Sequence, residues 1–117
     1  MANSLIHWEL MVNDVDKARA FYSRVFDWRF DDASFPGYTG IDTGATPRGG
    51  LMVRPPGSPT TGLNTYFRVD DIDRTLREVV EAGGTVIVKR TEIPPGWFAM
   101  FLDPDQIPIG IVQEKQT

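Results

Sequence analysis

The sequence predicts an α+β domain of two tandem β-α-β-β-β modules, their curved mixed sheets wrapped around a cavity and both helices outside. Three observations predict it. Met11-Val12-Asn13-Asp14-Val15-Asp16-Lys17 returns as Arg68-Val69-Asp70-Asp71-Ile72-Asp73-Arg74, an offset of 57 in a chain of 117 residues. In each copy an alternating apolar segment runs into an acidic turn and then a helical pattern. After each helix the chain returns to short strand-like segments separated by proline and glycine. Two copies are too few for a solenoid, so the modules are expected to close on each other, and ligand sites often form at such junctions.

The elements follow in order. Ser4 to Val12 alternates and reads as a first strand. Asn13 or Asp14 can cap a helix carrying Val15, Ala18, Phe21, Tyr22, Val25 and Phe26, an apolar stripe at helical spacing. Trp28–Asp31, Tyr38–Asp42 and Gly50–Arg54 read as three strands, with Pro36-Gly37, Gly44 and Pro47–Gly50 as turns. The prolines of the following linker forbid a helix and predict a stiff, extended path. Asn64–Val69 is the next strand, and Asp70 or Asp71 caps a helix bearing Ile72, Leu76, Val79 and Val80. Gly83-Gly84 ends that helix in the left-handed manner. Thr85–Lys89, Trp97–Leu102 and Pro108–Val112 complete the sheet, with a turn at Asp103-Pro104-Asp105. One domain is expected, with module one at 4–54, a linker at 55–62 and module two at 63–114.

Composition narrows the function classes. Hydrophobic content of 41% and charged content of 24% are ordinary for a soluble globular protein. A net charge of −4 without a basic run makes nucleic acid and anionic membrane poor partners. No cysteine is present, so disulfide and thiolate chemistry are excluded and a reducing compartment is suitable. The N-terminal stretch lacks a basic region and a small-residue cleavage site, and no apolar run approaches membrane-spanning length. A cytoplasmic protein is expected.

Parity along each strand sorts the side chains. Each helix must pack on one face of its module's sheet. Ile6, Trp8, Leu10 and Val12 then face the helix, while His7, Glu9 and Met11 face the cavity. The 57-residue offset puts Asn64, Tyr66 and Arg68 on the cavity side of the second module. In the last strand Ile107, Ile109 and Ile111 read as core, leaving Pro108, Gly110 and Val112 toward the cavity.

Three stretches carry a resemblance: His7-Trp8-Glu9-Leu10-Met11-Val12-Asn13-Asp14 leading into Ala18-Arg19-Ala20-Phe21-Tyr22, the Val69-Asp70-Asp71 repeat, and Trp97-Phe98-Ala99-Met100-Phe101-Leu102-Asp103-Pro104-Asp105. With the doubled element order, the chain resembles the vicinal oxygen chelate superfamily of glyoxalase I, bleomycin-resistance proteins and extradiol dioxygenases. It is most similar to glyoxalase-like proteins related to lactoylglutathione lyase, which share a Gly-Trp-Phe-Ala stretch. The resemblance implies this fold, which hosts many chemistries. It also implies a divalent metal held on the first and last strands of each module. Carried over, those positions are His7, Asn64, Gly110 and the Gly49-Gly50-Leu51-Met52 stretch. One imidazole cannot hold such an ion, which needs three or more donors. No metal and no other cofactor is therefore expected.

The remaining candidates have bland and functional readings. His7, the only histidine, is a general base or ligand anchor, or a relic of the metal position bonded to a neighbour. Glu9 lies on the same face about 6.5–7 Å along the strand, where it could share a proton with His7 or pair with Arg68. Tyr66 can offer a hydroxyl or serve as a half-buried core ring. One of Trp97, Phe98 and Phe101 lines the cavity, and Trp97 is taken as its representative. Trp8 and Trp28 read as core. Asp14, Asp16, Asp71 and Asp73 have the spacing of helix caps and first turns rather than of a calcium site.

The expected function is metal-independent binding or sequestration of a small hydrophobic or aromatic compound. Met11, Met52, Asn64, Tyr66, Arg68, Trp97 and Gly110 would form its site. The alternative is an enzyme moving a proton on a small carbonyl substrate, a lyase or isomerase with His7 and Glu9 as the catalytic pair. Either would be a homodimer.

Overall fold

The alternation and capping signals translate directly into elements. In a computed structural model describing residues 3–58 and 62–115, the order is β1 (Leu5–Val12), α1 (Val15–Val25), β2 (Arg29–Phe35), β3 (Tyr38–Asp42), β4 (Gly49–Val53), β5 (Leu63–Arg68), α2 (Ile72–Glu81), β6 (Thr85–Ile93), β7 (Gly96–Leu102) and β8 (Pro108–Glu114). The protein is thus α+β, with β-α-β-β-β appearing twice. Two compact units are present, one spanning Ile6–Asn64 and the other running from Thr65 onward together with the start of β1. Among the described residues, no helix is long and apolar enough to cross a membrane.

Each unit repeats one sheet plan. In the first the strand order is β2-β3-β4-β1, with β1 and β4 parallel and the other pairs antiparallel. In the second it is β6-β7-β8-β5, with β5 and β8 parallel. The helix that follows β1 or β5 begins the long connection from that strand to its parallel partner, β4 or β8.

The helix starts are encoded by matching aspartates. The Asp14 carboxylate accepts from the Lys17 amide at 3.0 Å, and Asp71 accepts from the Arg74 amide at 3.1 Å. Each satisfies an amide that the first helical turn leaves without a partner. Gly83, at φ 100°, lets the chain leave α2 in the left-handed conformation.

Around α2 the core is Val69, Ile72, Ala99 and Ile111, with Leu76, Trp97 and Phe101 packed against it. In the first unit Ile41 and Leu51 are fully buried. Beside α1, Trp28 stacks on Tyr22 at 5.2 Å between centroids and meets Trp8 at 5.4 Å. Arg19 of α1 holds Asp32 of β2 at 2.9 Å, and Thr39 donates to the same carboxylate.

Three expectations are corrected. The α1 stripe is not fully covered: no residue of that helix is buried, and Phe21 and Val25 are 59% and 51% exposed. Ile107 is not core. It precedes β8 and is 51% exposed, because its amide is used in the turn capped by Asp103. The described part of the linker is not extended: the Ser58 amide donates to the Pro55 carbonyl at 3.1 Å, with Gly57 at φ 74°, which closes a turn. Residues 59–61 of the linker lie outside the described residues.

Candidate functional site

The first unit's sheet has two unlike faces, fixed by strand parity. Trp8 lies over Gly49 on the α1 side, and a Cβ at Gly49 would collide with the indole. On the opposite face β1 presents His7, Glu9 and Met11. Glu9 is the register partner of Gly50, and Met11 of Met52. Tyr38 begins β3 opposite Met52, and its ring lies over Gly50, where a Cβ would collide with the phenol. A glycine is needed at 50 because a neighbouring ring takes the side-chain space.

That packing delivers the Tyr38 hydroxyl to 2.6 Å from His7 Nε2. The same hydroxyl is hydrogen-bonded to Glu9, which is only 8% exposed. Burial lowers the His7 pKa, opposed by the charge of Glu9 and by a hydrogen bond to the Arg48 backbone. Burial also pushes the Tyr38 phenol up, helped by the charge and hydrogen bond of Glu9. Desolvation thus favours a neutral imidazole beside a neutral phenol. Such an arrangement can donate to, accept from and exchange a proton with an oxygen-bearing molecule.

Further along this face, Asn64 is completely buried. Its Nδ2 turns toward the Met11 sulfur at 3.4 Å, while its Oδ1 has no hydrogen-bond partner among the described residues. Met52 is half-buried beside Met11. His7, Glu9, Met11, Met52 and Asn64 are therefore all contributions of one unit.

In the second unit Tyr66 and Gly110 are register partners on β5 and β8, and the Tyr66 ring covers the glycine. Tyr66 also meets Phe98 edge-on at 6.5 Å. Trp97 is placed differently from the expectation. It packs into the α2-side core, with the Lys115 ammonium 5.8 Å from its ring, so Phe98 is the β7 aromatic that meets Tyr66. Arg68 is also reassigned: its Nε lies 2.7 Å from Glu114 Oε1, an ion contact without the alignment of a hydrogen bond. Inside its own unit each of these charged residues has a partner, Tyr38 for Glu9 and Glu114 for Arg68.

The residues at the implied metal positions do not fit a divalent ion. His7 Nε2 is engaged by Tyr38, Asn64 offers a neutral amide, and Gly50 and Gly110 each lie under a tyrosine ring. Among the described residues no group of three or more His, Asp or Glu side chains gathers where it could hold one.

Sequence reasoning missed Tyr38. The available signal was Gly49-Gly50 inside a strand, since consecutive glycines there mark a large side chain approaching from each face.

The family model described as Glyoxalase/Bleomycin resistance protein/Dioxygenase superfamily matches residues 4–111. A protein of Mycobacterium bovis named "Putative glyoxylase CFP32" is 33% identical over 117 residues, covering 92% of this chain and 44% of its own length. The chain therefore spans less than half of that relative. Among solved structures, methylmalonyl-CoA epimerase from Mycobacterium tuberculosis aligns with TM-score 0.63 and 17% identity, over 99% of this chain and 93% of that one. A glyoxalase/bleomycin resistance protein/dioxygenase superfamily member from Vibrio splendidus aligns with TM-score 0.67 and 14% identity, over 97% and 100%. At those identities the likeness is one of fold.

Proposed function

Since the chain belongs to the Glyoxalase/Bleomycin resistance protein/Dioxygenase superfamily, we propose that it binds a small, partly hydrophobic or aromatic compound without a resident metal, using the His7–Glu9–Met11 face of β1. The observation that carries this reading is the Tyr38 hydroxyl held between His7 and Glu9, a polar handle on the strand face that also carries Met11. Met11 and Met52 supply adaptable apolar surface beside it. Sites of this kind combine apolar lining with a few placed polar groups. The proposal includes a homodimer in the cytoplasm, with the dimer open to test by light scattering.

A second reading is favoured by the same contact. An imidazole and a carboxyl group linked through a phenol are the parts of a general acid–base pair. The name of the mycobacterial relative suits an enzyme acting on a small carbonyl compound. A thermal-shift screen of small metabolites and aromatic compounds, followed by turnover assays on every hit, separates the two. Binding without turnover, weakened by His7→Ala and Glu9→Ala, supports the first reading. Turnover abolished by either substitution supports the second. No shift with any compound counts against both.

A further inference from the structure

The Tyr38 hydroxyl stands between two groups that can each accept its proton: His7 Nε2 at 2.6 Å and the Glu9 carboxyl group. A phenol carries one proton and donates to one partner at a time, so the second partner must donate to the phenol oxygen. Two arrangements meet that condition. In one, a His7 imidazolium donates Nε2–H to the phenol oxygen, its other ring nitrogen bonded to the Arg48 backbone, and the phenol O–H donates to the Glu9 carboxylate. In the other, protonated Glu9 donates to the phenol oxygen and the phenol O–H donates to Nε2. The heavy atoms are the same in both.

We propose that His7, Tyr38 and Glu9 form a proton relay in which Tyr38 couples the imidazole to the carboxyl group. In the forward direction the phenol oxygen takes the Nε2 proton of a His7 imidazolium while its own proton passes to the Glu9 carboxylate, leaving a neutral imidazole and a carboxylic acid. One N–H and one O–H bond break, and two O–H bonds form. The net charge of the three groups does not change, so the transfer suits a half-buried place where a net charge is costly.

The surroundings bring few competing charges. Met11 on the same strand and Gly50 and Met52 of β4 are uncharged. Arg48 reaches His7 through its backbone, and its guanidinium lies 4.0 Å from Asp31 of β2. Burial raises the phenol, so Tyr38 passes protons as a neutral hydroxyl rather than resting as a phenolate.

The relay deepens the proposed function by giving the site a donor and an acceptor that can exchange roles. It rests on that reading for its use, but its test needs no ligand. His7 is the only histidine, so its ring nitrogens give unambiguous NMR signals. The experiment titrates the His7 15N and Glu9 carboxyl 13C shifts in the wild type, Tyr38→Phe, Glu9→Gln and the double variant. In the wild type both signals are expected to move with shared midpoints, as a coupled pair does. Glu9→Gln is expected to displace the His7 midpoint by about one pH unit more in the wild type than in the Tyr38→Phe background. Equal displacement in both backgrounds is the result of a through-space charge alone, and it overturns the relay. If Tyr38→Phe does not fold, the wild type decides: independent midpoints for His7 and Glu9 refute the proposal. A ligand screen that finds nothing, beside shared midpoints, defeats the binding reading and leaves the relay standing.

Discussion

The Tyr66 ring covers Gly110, its register partner across the parallel strands β5 and β8. A side chain at 110 would meet the ring, and the Thr65 carbonyl oxygen lies 2.9 Å from the Cβ position. Gly110→Ala is therefore expected to cost about 1–3 kcal/mol, the usual penalty for overpacking a filled site. Urea unfolding reads it directly. Combining it with Tyr66→Ala should recover part of the loss, because the two changes share one space. Strict additivity of the two losses would place the strain elsewhere.

The same relationship limits metal grafting. Asn64→His with Gly110→Glu restores ligand types at two of the implied positions, yet the new glutamate must displace Tyr66. The double variant is expected to lose stability and to gain no affinity for nickel or zinc in calorimetry. Tight, stoichiometric binding by a folded double variant would show that the second unit repacks more readily than its geometry indicates.

Much of the fold was legible because it rests on local chemistry. The aspartate caps, the glycine exit from α2 and the strand alternation each have a sequence-local cause, and each element formed within a few residues of its expected span. The site was legible only in part. Parity put His7, Glu9 and Met11 on one face, but strand neighbours decide contacts, and Tyr38 comes from β3, two strands away. Trp97 was misplaced because both faces of β7 are apolar, which leaves parity nothing to sort. The Arg68–Glu114 contact was missed because the expected last strand stopped at Val112, two residues short.

Asn64 offers a test of what a buried amide costs. Its Oδ1 has no partner among the described residues, and its Nδ2 donates to the Met11 thioether. Replacing a poorly satisfied polar group by an apolar one of similar size is near neutral or favourable, whereas placing a charge there is not. Asn64→Leu should leave the unfolding free energy unchanged or raise it, and Asn64→Asp should lower it by about 2 kcal/mol or more. A large loss with leucine would reveal a polar partner that matters to the fold.

The helix caps should behave as a matched pair. Asp14→Ala and Asp71→Ala each remove one carboxylate from one amide in equivalent first turns, so each is expected to cost about 1 kcal/mol. The start of α2 has a further link to the fold: the Ile72 amide beside Asp71 donates to the Gln113 side-chain oxygen at 3.0 Å. That bond survives the substitution and keeps the start of α2 in place. Chemical denaturation of the two variants under identical conditions checks the pairing. A loss confined to one helix would mean that the repeat is not energetically symmetric.

Acid should weaken the fold through His7. Burial lowers its pKa below the ordinary 6.5, so the unfolded chain binds this proton more readily than the folded one. The sign follows: the contribution is fully present above about pH 6.5 and is lost as pH falls toward the lower, folded-state value. His7→Gln keeps a polar partner for Tyr38 but cannot titrate. Stability against pH should therefore fall more steeply in the wild type than in His7→Gln below that pH, with parallel curves above it. Asp32 and Glu92, both lowered by their cation partners, lose their own contributions at more acidic pH and do so equally in both proteins. Identical curves throughout would mean that His7 titrates alike in the folded and unfolded chains.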